Sequence, residues 1–141
     1  MGRLQQYLAI SLSIGFFSFA CRFGESKKQP EESSGPRADY IKKIEGPNDS
    51  IPVEDSRRGE VLIAYADCYS CHLKDKRAKG PAFSDIAERY PVNQVFITML
   101  AQRIINGGYG AWGNPVMLPH PQLSREDAET MVKYILSLKN P

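Results

Sequence analysis

Apolar residues recur at helical spacing through the carboxy-terminal half of the chain. Over residues 93–106, Phe96, Leu100 and Ile104 fall four apart, and Gly107-Gly108 supply a stop signal. Over 124–138, Ala128, Met131, Ile135 and Leu138 keep to one face of a helix, which predicts that this face is buried. Ser124, with Asp127 three residues on, marks its start with a capping pattern. A shorter helix is predicted over 83–90, capped by Ser84. A first helix begins between Asp55 and Gly59, carries Val61, Leu62 and Tyr65 on one side, and runs on to Cys68. No strand is predicted, so the fold class is all-α with four helices and connecting loops.

The amino-terminal pattern is of another kind. Arg3 precedes a mostly apolar run over residues 7–20, the length of the hydrophobic region of a signal peptide and too short and rich in Ser and Gly for a membrane span. The run ends in Ser18-Phe19-Ala20-Cys21. A small residue before a cysteine at that place resembles the processing site of bacterial lipoproteins, whose cysteine is lipidated and becomes the first residue. Ser18 and Phe19 depart from that pattern, and ordinary signal-peptidase cleavage after Ala20 is the alternative. Residues 1–20 therefore read as a signal peptide. Residues 21–53, with Pro30, Pro36, Pro47 and Pro52 among glycines, serines and mixed charges, read as a flexible tether. Within them, 39–45 has the pattern of one local turn. The remainder, 54–141, makes one small domain.

The chemistry concentrates in Cys68-Tyr69-Ser70-Cys71-His72. Haem carries two vinyl groups on one edge, and two thiols three residues apart on a helical turn reach both. A histidine directly after the second thiol is carried under the ring, where its imidazole binds iron. A zinc site would need further ligands, and only Cys21 and His120 remain as candidates of that type. A thioredoxin-like dithiol needs a strand–helix–strand setting that is missing here. The chain has three cysteines: two serve haem and Cys21 sits where a lipid would be attached, leaving none for a disulfide. A core of roughly 85 residues is marginal by itself, so covalent haem is expected to complete it and the haem-free chain to fold poorly.

Residues 107–121 hold the second half of the site. Glycines and prolines this dense predict an irregular path of defined shape. Met117 is the methionine of this loop, and a thioether is a soft ligand suited to haem iron opposite a histidine. Met99 and Met131 fall within predicted helices, where core packing accounts for them, and Met1 belongs to the signal. His120 is the competing ligand in the same loop.

From Gly59 onward the chain resembles the short bacterial class I cytochromes c. The resemblance rests on the Cys-Tyr-Ser-Cys-His motif, Lys79-Gly80-Pro81-Ala82-Phe83, Leu100-Ala101-Gln102-Arg103-Ile104, the Trp112-Gly113 to Met117-Leu118-Pro119 loop, and the last helix with Tyr134. It implies a small class I cytochrome c fold, about four helices wrapped around one covalent haem c. It implies thioethers from Cys68 and Cys71, axial ligation by His72 and Met117, and a Pro81 carbonyl bonded to the other nitrogen of the ligand histidine. Arg103 and Trp112 take positions that bond haem propionates; an exposed helix arginine and a core-filling aromatic are the alternatives. Gly59 and Tyr134 fall where the first and last helices cross. Leu118 replaces a proline, Ile63 replaces an aromatic, and His120-Pro121 replaces a polar residue that supports the methionine sulfur.

These features imply an electron carrier rather than an enzyme, with a reductase, oxidase or dehydrogenase as redox partner. The alternatives are a haem c subunit of a larger oxidoreductase, or an open-site haem enzyme or gas sensor. The basic run Lys74, Lys76, Arg77 and Lys79, interrupted by Asp75, would steer an acidic partner if it lies near a haem edge. A formal charge of +2, offset by haem propionates, gives no sign of nucleic-acid binding. The expected setting is a monomer in the periplasm, tethered to the membrane through lipidated Cys21.

Overall fold

Two helices from opposite ends of the domain meet at a glycine. In the computed structural model, which describes residues 41–139, α1 (Val53–Tyr65) crosses α4 (Arg125–Ser137) at buried Gly59. A Cβ at Gly59 would strike the Thr130 carbonyl and stand 2.7 Å from Tyr134 Cβ, so only glycine permits the approach. Polar pairs line the crossing: Lys133 Nζ donates to Asp55 Oδ2 at 2.7 Å and Tyr134 Oη donates to Glu60 Oε1 at 3.2 Å. The crossing also chooses the inward face of α1. Ile63, one turn after Gly59, is buried and Leu62 half-buried against the core, whereas Val61 and Tyr65 are 54% and 91% exposed, so two of the three residues on the predicted side are turned outward.

Helix α1 stops at Tyr65 instead of running into the cysteine motif. Ala66 is extended, and a short 3-10 turn, Asp67–Ser70, carries Cys68. Helix α2 (Phe83–Arg89) is preceded by Ala82, and Ser84 lies buried inside it rather than capping it. Its first amides are satisfied by other means: Phe83 N donates to Leu73 O at 3.0 Å and Ser84 N to Lys74 O at 2.9 Å. Helix α3 (Gln94–Asn106) is capped by Asn93, whose side chain accepts from Phe96 N. It buries Ile97, Ala101 and Ile104, a face rotated by about one residue from the predicted one, with Phe96 and Leu100 half-buried at its edge. Ser124 caps α4, accepting from Asp127 N at 3.0 Å, and Ala128, Met131 and Ile135 are buried as the periodicity predicts.

One strand pair departs from the all-helical expectation. β1 (Gly108–Gly110) pairs antiparallel with β2 (Gly113–Met117), Gly108 opposite Met117 and Gly110 opposite Gly113. Gly110 and Gly113, at φ +87° and +94°, let the chain reverse between them. The fold remains mostly helical, with four helices around a shared core.

The expected signal peptide and the possible lipidation site, Cys21, lie outside the described residues. Residues 41–52, expected within a mobile tether, are instead laid along the α2–α3 corner as a strap. Ile41 is buried, Ile44 N donates to Arg89 O at 2.8 Å, and Asp49 N donates to Val92 O at 2.6 Å. Val92 N in turn donates to Asn48 Oδ1 at 2.8 Å. Ile44 and Ile51 supply the apolar contacts with the core that the count of prolines and charges obscured. No helix among the described residues is long and apolar enough to cross a membrane.

Candidate haem site

All four helices contribute to the wall of a cavity of about 530 Å³. Cys68, Cys71, His72, Pro81, Arg103, Trp112 and Met117, far apart in sequence, all line it. Ile63, Leu100, Ile104, Met131 and Ile135 give it an apolar interior.

The cysteine turn is held by its own backbone. Cys71 N and His72 N both donate to Cys68 O, at 3.2 and 2.9 Å, and Gly80 N donates back to Cys71 O at 2.8 Å. The turn presents both thiols, half-buried and unbridged, to the cavity. Burial, and then the Asp67 carboxylate, push the Cys68 thiol above its usual range, so without haem it stays protonated. That disfavours a thiolate redox centre. Among the described residues no three His, Cys, Asp or Glu side chains group to hold a metal, which removes the zinc alternative from them.

His72 Nδ1 lies 2.8 Å from Pro81 O. A carbonyl can only accept, so Nδ1 carries the proton and Nε2 keeps its lone pair. The ring stacks on Phe83 with centroids 5.3 Å apart and planes 14° apart. Burial depresses its pKa, against the raising effect of the Pro81 bond, and His120 lowers it further; the imidazole is thus neutral and ready to ligate. Gly80 makes this geometry possible. A Cβ there would stand 2.6 Å from His72 Cε1 and 2.9 Å from Nδ1.

Met117 ends β2 and is half-buried on the cavity wall. Its carbonyl packs over Gly107, where φ is +71° and a Cβ would come within 2.6 Å of that oxygen. Met99 and Met131 reach the same wall from within α3 and α4, as parts of the core. His120 also lines the cavity, but its Nε2 is 3.1 Å from Asp67 Oδ1 and so is engaged across the Cys68 side of the site. Arg103 is exposed, beside Gly108, where a Cβ would stand 2.6 Å from Nη1. Trp112 sits at the turn of the ribbon, edge-on to Tyr90 with centroids 6.4 Å apart.

Three residues at or beside the site are given no role of their own by the sequence: Gly80, Arg89 and Asp67. Gly80 stands beside Pro81 in the motif, a signal that the backbone passes close to something. Arg89 and Asp67 gain their roles only from neighbours distant in sequence. The donor set of two thiols, one neutral imidazole and one thioether, inside apolar walls with Arg103 and Trp112 as polar members, fits a covalent haem.

A family model described as cytochrome c matches residues 56–139. Cytochrome c-551 of Pseudomonas aeruginosa is 39% identical over 80 residues, 57% of this chain and 76% of that protein. Cytochrome c-552 of Nitrosomonas europaea is 37% identical over 73 residues, 52% of this chain and 71% of that protein. The crystal structure of wild-type Nitrosomonas europaea cytochrome c552 aligns with a TM-score of 0.53 and 35% identity, covering 57% of this chain and 99% of that one.

Proposed function

The chain belongs to the cytochrome c family, and from that premise we propose an exported electron carrier with His72 and Met117 as the axial pair on its haem iron. It is an electron-transfer protein, not an enzyme, with one haem c attached through Cys68 and Cys71. The haem supplies a one-electron couple between ferrous and ferric iron. The residues around it hold that couple in one geometry. The Pro81 carbonyl fixes the His72 ring and raises its basicity through the Nδ1 bond. Met117 would hold the iron opposite His72, and a Met/His pair would set a higher potential than two imidazoles. Arg103 and Trp112, both on the cavity wall, would bond the propionates. With His72 and Met117 both holding the iron, no site would be left for a substrate.

The observation that carries this reading is the gathering of both thiols, His72 with its tautomer set by Pro81, and Met117 on one cavity. The oxidised, haem-loaded protein is expected to show the weak far-red band of methionine bound to iron(III), and Met117→Ala to lose it. A wild type without the band, or one that binds carbon monoxide rapidly and stoichiometrically when reduced, would remove Met117 from the iron.

The cavity rim supports a partner of particular chemistry. Tyr109, Val116 and Leu118 are 80%, 67% and 70% exposed and border the cavity. Lys74, Lys76 and Lys79 are exposed on the loop after His72, and Lys79 itself borders the cavity. An apolar rim beside cations suits a redox protein with acidic residues around an apolar patch. Association that slows steeply with added salt, and slows less in Lys76→Glu, is the expected signature. For location, the proposal is a periplasmic domain anchored through lipidated Cys21. Cys21→Ser should move the protein from the membrane fraction to the soluble one; an unchanged distribution would favour plain secretion.

A further inference from the structure

We propose that Arg89 is a positioning residue that holds the Met117 loop in place, and that the strap 41–52 braces it. The inference rests on Met117 as ligand and concerns what keeps it there.

The ribbon cannot hold itself. β1 is three residues long, the pair has a break in register between Gly108 and Gly110, and Gly107, Gly108, Gly110 and Gly113 all have positive φ. A two-stranded ribbon of this kind is marginal in water even with better residues. Its tip must be gripped from outside. Two successive carbonyls there accept from arginines on different segments: Arg89 Nη1 donates to Ala111 O at 2.6 Å, and Arg77 Nη2 donates to Trp112 O at 3.3 Å. Arg89 grips a second way, its Cζ standing 4.8 Å from the centroid of the Trp112 ring and 5.5 Å from that of Tyr90. Backbone and ring of the tip are thus held by one guanidinium.

Nothing else in the described structure accounts for this side chain. No carboxylate pairs with it among the described residues, and its Nε is buried without a hydrogen-bond partner. Its main chain faces the other way: Arg89 O accepts from Ile44 N of the strap at 2.8 Å. One residue therefore joins a segment that lies outside the family match to the loop bearing Met117.

The test uses the full-length, haem-loaded, oxidised protein and added imidazole, which binds iron only when Met117 lets go. Arg89→Ala is expected to tighten apparent imidazole binding about tenfold, equivalent to about 1.4 kcal/mol of lost loop closure. The far-red methionine band should then vanish at a lower temperature than the far-UV circular dichroism, with a wider gap than in the wild type. Arg89→Lys keeps the charge but not the planar fork, and is expected to recover only part of the difference. Ile44→Pro deletes the amide donated to Arg89, and should shift imidazole binding in the same direction by about threefold. Imidazole affinity within twofold of wild type in Arg89→Ala, or a band that always melts together with the helices, would overturn the proposal. A wild type lacking the band would sink the Met117 assignment first, and this inference with it.

Discussion

Gly80 shows how closely a single hydrogen atom can be tied to function. It is buried, and its missing side chain is the space that His72 occupies. Gly80→Ala is expected to push the imidazole off its Pro81 partner and to cost about 2 kcal/mol in denaturant unfolding of the haem-loaded protein, as overpacking does elsewhere. A change in iron spin state should accompany it. Tyr134 offers a test by pH. Burial first, and then its bonds with Tyr69 and Glu60, raise its hydroxyl well above the usual value. The folded protein therefore keeps a proton that the unfolded chain gives up above pH about 10, so stability is full below that and falls as pH rises beyond it. Tyr134→Phe should flatten the alkaline loss measured by urea unfolding; an unchanged slope would mean that other groups carry it. At this scale the cysteine motif was legible because its chemistry lies within five consecutive residues. Gly80 and Arg89 were not, since what they touch comes from elsewhere in the chain.

Among the elements, caps and stops read well where the residue itself does the work, Ser124 through its side-chain bond and Gly107 through its positive φ. They read poorly where the backbone of another segment does so. Ser84 failed as a cap because carbonyls of Leu73 and Lys74 already satisfy the first amides of α2. Helix faces were legible to within about one residue for α3 and α4. That of α1 was not, because Gly59 rather than its large residues decides which side turns inward. The strap carries the remaining lesson. Its prolines and charges suggest a tether, yet two isoleucines and a few backbone bonds suffice to lay it down. Asn48→Ala would leave the buried Val92 amide without its acceptor, and remove a partner of Lys139 at 3.2 Å. The expected loss is about 1–2 kcal/mol of unfolding stability, while a variant as stable as wild type would show the strap to be incidental.

For the molecule as a whole, the haem is part of the core. A cavity of about 530 Å³ left without it would cost on the order of 10 kcal/mol at the rate known for core cavities. That matches the entire stability of a small domain. The Cys68→Ala/Cys71→Ala double variant, which cannot retain covalent haem, should accordingly show weak far-UV circular dichroism and no cooperative thermal transition. Near-native helicity in that variant would mean that the strap and the α1–α4 crossing hold the fold unaided.

The crossing at Gly59 also bears on timing. Tyr134 meets Glu60 across 74 positions of sequence, and Ser56 meets Ser137 across 81. A chain exported amino end first, as proposed above, presents α1 before the helix it needs. Until α4 arrives the most extensive interface in the domain has only one side, and the Cys68–His72 turn stays open to whatever attaches the haem. The fold thus postpones its own closure until the last helix arrives. A chain ending before Arg125 should accordingly remain unfolded by circular dichroism, however much haem it carries.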